Sequence, residues 1–136
     1  MLSEDGVTIF DGHTRLSIIP VGAPGLGYPC RIEITSGSFS ATVEGEVRID
    51  TKFREALKQL QSSMKGEAEL TFWSEEHSLI IKGNGRGSLE VLADVHEGKP
   101  ARARLRVELS LDQSYLPTII QGIARYFPEK GSATLD

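Results

Sequence analysis

Alternation of polar and apolar residues dominates residues 31–48 and 67–109, and it is the feature that most restricts the fold. Ile32 and Ile34 alternate with polar neighbours, and Phe39, Ala41 and Val43 do the same after a short interruption. A period of two turns every second side chain to the same face, so that one face is buried and the other meets water. The pattern is typical of antiparallel strands, and it predicts a sheet built from hairpins.

The interruption at Ser36 and Gly37 is predicted to be a two-residue hairpin turn, which would place Ile34 opposite Phe39 on the apolar face. Residues 20–29 hold three prolines and three glycines. They are predicted to form a loop, because proline cannot donate a hydrogen bond to a strand ladder. Further strand patterns occur at residues 7–10, 16–19, 67–72, 79–81, 89–95 and 103–109.

Two segments change to the spacing of an amphipathic helix, in which apolar residues recur every three or four positions. The first stripe contains Phe53, Leu57, Leu60 and Met64. Asp50 is predicted to cap the start of this helix, and Gly66 to lie just past its end. The second stripe contains Leu116, Ile119, Ile120, Ile123 and Phe127. Pro117 is tolerated only in a first turn, so this helix is predicted to begin between residues 112 and 115 and to end before Pro128.

Strands, a helix, more strands and a second helix follow one another, and the strands are joined by connections short enough for hairpins. This order predicts the α+β class, with an antiparallel sheet of about six to eight strands and two amphipathic helices packed on one face. The 136 residues suit one domain that spans residues 1–136. Residues 129–136 are expected to form a loose tail, because chain termini are often held by few contacts.

The composition is that of a globular chain, with 39% hydrophobic and 25% charged residues. The formal net charge of −4 disfavours nucleic acid as a partner, because such binding requires a basic surface. The same charge either keeps the protein soluble or suits a basic protein partner. No segment has the roughly 20 apolar residues of a membrane span, and residues 1–6 lack the features of a signal peptide. A cytoplasmic protein without a membrane partner is therefore expected.

Residues with catalytic or ligand-binding chemistry are sparse. Cys30 is the one cysteine, so it cannot form an internal disulfide, and it is predicted to be a small apolar residue of a strand. His13, His77 and His96 fall in predicted turns or loops without the spacing of metal ligands, and they are predicted to be exposed to solvent. No catalytic residue, cofactor or metal site is predicted.

A glycine-rich segment at residues 83–87 invites comparison with phosphate-binding loops. It lacks the lysine and the Ser or Thr of a P-loop, and a strand pattern rather than a helix follows it. Asn84-Gly85 between apolar runs is instead typical of a hairpin turn. The segment is therefore predicted to join two strands.

Arginines occupy the polar positions 102, 104 and 106 of the last predicted strand. A hairpin that turns at Gly98 would place Asp94 opposite Arg102 and Glu90 opposite Arg106. Such pairs favour a stabilising role for these arginines. Contact with a protein partner is the second interpretation, and contact with nucleic acid is the least favoured.

Glu33, Glu44 and Glu46 occupy polar positions of the first two long strand segments, where Arg31 and Arg48 are the nearby basic residues. One interpretation is a solvated strand face. The other is a docking patch for a basic protein, and on this interpretation we hypothesise that the three glutamates bind the partner.

Four segments carry a resemblance to a known family: Gly37-Ser38-Phe39, the helix from Phe53 to Met64 with Lys65-Gly66-Glu67-Ala68 after it, Gly83-Asn84-Gly85-Arg86-Gly87 with Leu89-Glu90-Val91, and Asp112-Gln113-Ser114-Tyr115-Leu116-Pro117 leading to Phe127-Pro128. Their order and spacing resemble those of the WapI-like immunity proteins, a bacterial family that accompanies polymorphic contact-dependent toxins. The resemblance spans roughly residues 14 to 130.

The resemblance implies a cytoplasmic protein that neutralises a toxin domain by binding it, and it implies no catalytic residues. One alternative is an interaction module of the same fold with another partner. A less favoured alternative is an enzyme that acts on a small molecule. Exposed edge strands would also permit a homodimer.

Overall fold

The computed structural model describes residues 6–25, 27–72, 77–97 and 102–128. These residues form an eight-stranded antiparallel sheet, in which each strand pairs with the next along the chain, and two α-helices. The predicted α+β class with an antiparallel sheet is therefore confirmed. The elements are β1 (Val7–Phe10), β2 (Thr14–Pro20), β3 (Tyr28–Ser36), β4 (Phe39–Arg48), α1 (Thr51–Ser63), β5 (Lys65–Phe72), β6 (Ser78–Asn84), β7 (Ser88–Glu97), β8 (Ala103–Asp112) and α2 (Leu116–Tyr126), with a 3-10 turn at Gln113–Tyr115. The predicted tail, residues 129–136, lies outside the described residues.

The sheet divides into two halves between β4 and β5. β4 pairs with β3 along almost its whole length, whereas its pairing with β5 is confined to Val47–Phe72 and Arg48–Thr71. Beyond these two pairs the sheet folds over, because β2 approaches β8 and β4 approaches β7. Two half-sheets, β1–β4 and β5–β8, therefore face each other across the interior.

One hydrophobic cluster fills this interior and receives side chains from every strand and from both α-helices. In the strands, the buried residues are mainly those that alternate along the sequence, as predicted. In the helices they are Phe53, Leu57 and Leu60 of α1, and Leu116, Ile119 and Ile123 of α2. Helix α1 packs mainly against β5, and α2 packs mainly against β1 and also contacts α1. That both helices lie on one face of the sheet stays a prediction.

The β3–β4 hairpin turns one residue later than predicted. Ser36 pairs with Phe39, and Ile34 pairs with Ala41 rather than with Phe39. Gly37 has a φ of 62°, so the first position of the turn is left-handed, which glycine adopts without steric cost. The resulting register differs by two residues, and the apolar side chains therefore keep their face.

The predicted pairing of the β7–β8 hairpin is also wrong. Asp94 pairs with Arg106, not with Arg102, and Glu90 pairs with Ser110. The pairing ends where Glu97 meets Ala103, and the predicted turn at Gly98 lies outside the described residues. This register is offset by four residues. An even offset leaves the polar and apolar faces unchanged, so alternation alone could not detect it.

The predicted helix limits hold at two of four ends, because α1 closes at Met64 and α2 begins at Leu116, one residue after the predicted range. Asp50 caps α1, since its Oδ1 accepts a hydrogen bond from the Phe53 amide at 3.0 Å. The other end differs, because Met64 rather than Gly66 closes α1, with a left-handed φ of 62°. The chain must reverse there because β5 begins at the next residue. Helix α2 follows a 3-10 turn, has Pro117 in its first turn and ends before Pro128.

The glycine-rich segment is the hairpin between β6 and β7, as predicted. The Asn84 Oδ1 accepts hydrogen bonds from the amides of Arg86 and Ser88, at 2.7 and 3.2 Å. The Gly85 amide donates to the Met64 carbonyl at 2.7 Å. The hairpin is thereby fastened to the end of α1, and packing accounts for its glycines without a bound anion.

The turn between β1 and β2 fastens the two half-sheets together at another point. The Asp11 carboxylate accepts hydrogen bonds from the amides of His13 and Thr14, at 2.9 and 2.8 Å, and from the Ser110 amide of β8 at 3.2 Å. Partial burial by itself raises the pKa of Asp11, but these amides outweigh it and hold the pKa below its usual value. The ionised carboxylate therefore links the first hairpin to the last strand.

Gly83 is predicted to reject a side chain. A Cβ atom there would lie 2.6 Å from the Met64 carbonyl oxygen and 2.7 Å from the Leu60 Cδ1. Because the oxygen belongs to the backbone, Gly83→Ala should lower the free energy of unfolding by about 1–3 kcal/mol, measured by urea denaturation. Gly25→Ala is the matched control, since nothing lies within 4 Å of a Cβ at that position. Equal stabilities of the two variants would contradict the prediction.

Candidate protein-binding surfaces

The outward positions of β1–β4 form the first outer face, which carries the three glutamates singled out in the sequence. In the structure Glu44 lies opposite Arg31, Glu33 lies opposite Thr42, and Glu46 lies opposite Pro29. The three glutamates are thus brought together on two neighbouring strands.

Contacts within the protein already engage two of these carboxylates. The Arg31 Nε donates to the Glu33 Oε2 at 2.9 Å, and the Gly27 amide donates to the Glu46 Oε2 at 3.1 Å. Three arginines at outward positions of the same face balance the three glutamates; they are Arg15 of β2, Arg31 of β3 and Arg48 of β4. The first outer face is therefore close to neutral in charge.

The outward positions of β5–β8 form the second outer face, of which sequence reasoning singled out the arginines of β8 but not the centre. One row crosses all four strands, because Glu69 pairs with Ile80, Ile80 with Leu92, and Leu92 with Glu108. Ile80 and Leu92 are half-buried and the two glutamates are exposed. Ile80 and Leu92 both lie at outward positions, where alternation would place a polar residue. This departure from alternation is the sequence signal that could have identified them.

Charged side chains occupy the neighbouring rows of the second outer face. On one side, Lys82 lies between Glu67 and Glu90 on the adjacent strands. On the other side, Ser78 pairs with Asp94, which pairs with Arg106. A shallow depression of about 190 Å³ lies over Ile80, Leu92 and their neighbours towards Arg106. The face thus combines an apolar centre with a charged surround.

Asp94 organises the arginines of β8. Its carboxylate accepts hydrogen bonds from the Arg104 Nε and Nη2, at 3.0 and 2.6 Å, and it lies 3.7 Å from the Arg106 Nε and 3.2 Å from the His96 Nε2. The hydrogen bonds from Arg104 are the main reason that the pKa of Asp94 lies below its usual value. Two of the three arginines therefore pair with a carboxylate across the strands, although the partner differs from the predicted one.

His77 is buried, contrary to the prediction for the three histidines, whereas His13 is exposed and His96 is half-buried. The His96 amide donates to the His77 Nδ1 at 3.3 Å, and the His77 Nε2 lies 3.2 Å from the Glu44 carbonyl oxygen. An amide can only donate and a carbonyl can only accept, so in these contacts Nδ1 is the acceptor and Nε2 the donor. His77 thus joins β4 to β7 where the sheet divides.

A cleft of about 380 Å³ separates the first half of β4 from the ends of β7 and β8. The half-buried side chains of Val43 and Leu105 lie along it, and Phe39 stands at its mouth with 67% of its surface exposed. Phe39 was predicted to lie on the apolar face. Its position in β4 places it on that face. Its side chain is nevertheless exposed, because this part of β4 does not pair with β5.

The remaining candidate groups offer little reactive chemistry. Cys30 is buried in β3 as predicted, and burial raises the pKa of its thiol to about 12. Within residues 6–25, 27–72, 77–97 and 102–128, no three His, Cys, Asp or Glu side chains are grouped as metal ligands would be. Neither helix in the described part of the chain has the length and apolar character to cross a membrane.

A family model of the Immunity protein WapI-like family matches residues 27–129. The chain belongs to this family. The match runs from the start of β3 beyond the end of α2 and confirms the resemblance carried by the sequence motifs. No protein of curated function and no solved structure gives a significant match.

The matched region of this WapI-like protein contains all of the second outer face, the cleft and the Asp94 cluster. It also contains β3 and β4, which carry Glu33, Glu44 and Glu46. Only β1 and β2 lie outside it. Both candidate surfaces are therefore largely made from residues that the family model covers.

The buried ring of His77 is predicted to stabilise the WapI-like fold. His77→Phe keeps an aromatic ring but leaves the Glu44 carbonyl and the His96 amide without their partner. Unpaired buried polar groups cost about 1–3 kcal/mol, so the free energy of unfolding should fall by that amount in urea denaturation. His13→Phe, at an exposed position, is the matched control. The prediction fails if both variants unfold at the same urea concentration.

Asp94 is predicted to make stability depend on pH. Its folded pKa is lowered, so its contribution is present above the unfolded value of about 3.9 and is lost as the pH falls through the folded pKa. The melting temperature of Asp94→Asn should therefore lie below that of the wild type at pH 7, and the difference should shrink below about pH 4. Glu97→Gln, at an exposed position of the same strand, should show no such dependence. A difference that stays constant from pH 7 to pH 3 would contradict this assignment.

Proposed function

We propose that this protein is a non-catalytic immunity protein, which neutralises a cognate toxin domain in the cytoplasm by binding it directly. The observation that carries the proposal is the match of the WapI-like family model over residues 27–129. The family's name describes immunity, and immunity by direct binding requires an exposed surface rather than a reactive centre.

The chemistry of the described residues supports a binding role. The thiol of Cys30 is buried and its pKa is raised, so the thiolate needed for nucleophilic attack is disfavoured. Both ring nitrogens of His77 are engaged by backbone groups, which leaves neither available for proton transfer. Asp94 is paired with Arg104 and is kept ionised. These groups are used in holding the fold.

A basic toxin domain is the partner class that the charge of the chain favours. The net charge of −4 would attract a basic protein and raise the rate of association. Docking at Glu33, Glu44 and Glu46 is one proposal for the contact. It would require Glu33 and Glu46 to exchange their contacts with Arg31 and the Gly27 amide for contacts with the partner.

Co-expression tests the proposal. The protein encoded by the gene directly upstream is tested as the candidate toxin: its domains are expressed in bacteria alone, together with this chain, and together with an unrelated soluble protein of similar size. Growth should be restored only by this chain, and the two proteins should co-purify as a complex, because neutralisation by binding requires a stable association. Absence of both rescue and complex would refute immunity for that pair. Rescue without a complex would refute neutralisation by binding.

A further inference from the structure

We infer that the second outer face is the docking surface, and that it binds a basic protein surface carrying an apolar side chain, which would lie on Ile80 and Leu92. The inference rests on the proposed function and deepens it by naming the surface and the chemistry of the partner. It differs from docking at Glu33, Glu44 and Glu46, which lie on the first outer face.

The position of Ile80 and Leu92 is the first observation. They are direct neighbours on β6 and β7, in the middle of the β5–β8 half-sheet, and they point away from the core that Leu79, Ile81 and Val91 fill. Their side chains stay half-exposed. An apolar centre surrounded by polar residues is the arrangement found where binding energy is concentrated in protein interfaces.

The charge around this pair is the second observation. Glu69 and Glu108 flank Ile80 and Leu92 in the same row, and no basic side chain of the described residues forms an ion pair with either of them. In the next row, Lys82 is the single base between Glu67 and Glu90. Acidic residues therefore exceed basic ones around the apolar pair, whereas glutamates and arginines balance on the first outer face.

The shape of the surface is the third observation. The depression over Ile80 and Leu92 is lined on one side by Arg106 and on another by Glu108. Its volume of about 190 Å³ suits the insertion of a single apolar side chain. A partner with lysine or arginine beside that side chain would meet Glu69 and Glu108, so the shape and the charge indicate the same class of partner.

A double variant, Ile80→Thr with Leu92→Thr, tests the apolar contact. Threonine retains a high strand propensity, and circular dichroism and thermal melting establish that the variant folds. The probe is the toxin domain that this chain neutralises in the co-expression test, recovered from the co-purified complex by denaturation and refolding. The dissociation constant should rise by at least about 30-fold, mostly through faster dissociation.

A second double variant, Glu69→Lys with Glu108→Lys, tests the charge. Association at low salt should slow by about 10-fold, and the loss should diminish as salt is added. The matched control for the apolar contact is Ile19→Thr on the first outer face, which replaces a half-buried apolar residue and should bind the toxin domain as the wild type does. Glu33→Lys with Glu44→Lys makes the same change of net charge at the alternative docking site, and on this inference it should slow association less than Glu69→Lys with Glu108→Lys does.

The possible outcomes separate the inference from the proposed function. If the wild type does not bind the toxin domain, the proposed function fails and this inference fails with it. If the wild type binds and the Ile80/Leu92 variant binds equally well, or if the Glu33/Glu44 variant alone loses binding, only the docking surface is refuted. If the wild type is a dimer by light scattering and the Ile80/Leu92 variant is a monomer, the face serves self-association and the inference is overturned.

Discussion

Burial of alternate side chains in a single cluster between two half-sheets is the constraint on which this structure depends. Each strand has only one apolar face, so each half-sheet needs a cover for it. Because β4 and β5 pair only at Val47–Phe72 and Arg48–Thr71, the sheet can fold over at this point. The other half-sheet and the two helices then provide the cover. The core therefore forms only when residues distant in sequence meet.

Polar contacts hold the two halves where the strands no longer pair. Asp11 binds the Ser110 amide of β8, and His77 connects the Glu44 carbonyl of β4 to the His96 amide of β7. Each contact gives a side-chain partner to backbone groups of the strands it joins. Residue types that often serve in active sites are used here to hold the fold.

Because these polar residues hold the fold, the exposed faces are the parts of the described chain that can recognise another molecule. The two outer faces differ in a way that composition cannot show. On the first, arginines and glutamates balance, and two of the glutamates are engaged by the protein itself. On the second, Ile80 and Leu92 lie between Glu69 and Glu108, which form no ion pair with a basic side chain in the described part of the chain. Membership of an immunity family gives this difference its meaning, because a protein that acts by binding depends on such a surface.

The sequence by itself determined the class of fold, the order and approximate positions of the elements, the cap at Asp50, the glycine hairpin and the family. These features depend on local chemistry or on periodicity, which can be read along the chain. Only the tertiary structure decided the two hairpin registers, the burial of His77 and the row from Glu69 to Glu108. Alternation assigns each residue to a face, but an even shift of register leaves that assignment unchanged. Neighbours across the strands, and therefore the candidate surface, exist only once the strands are paired.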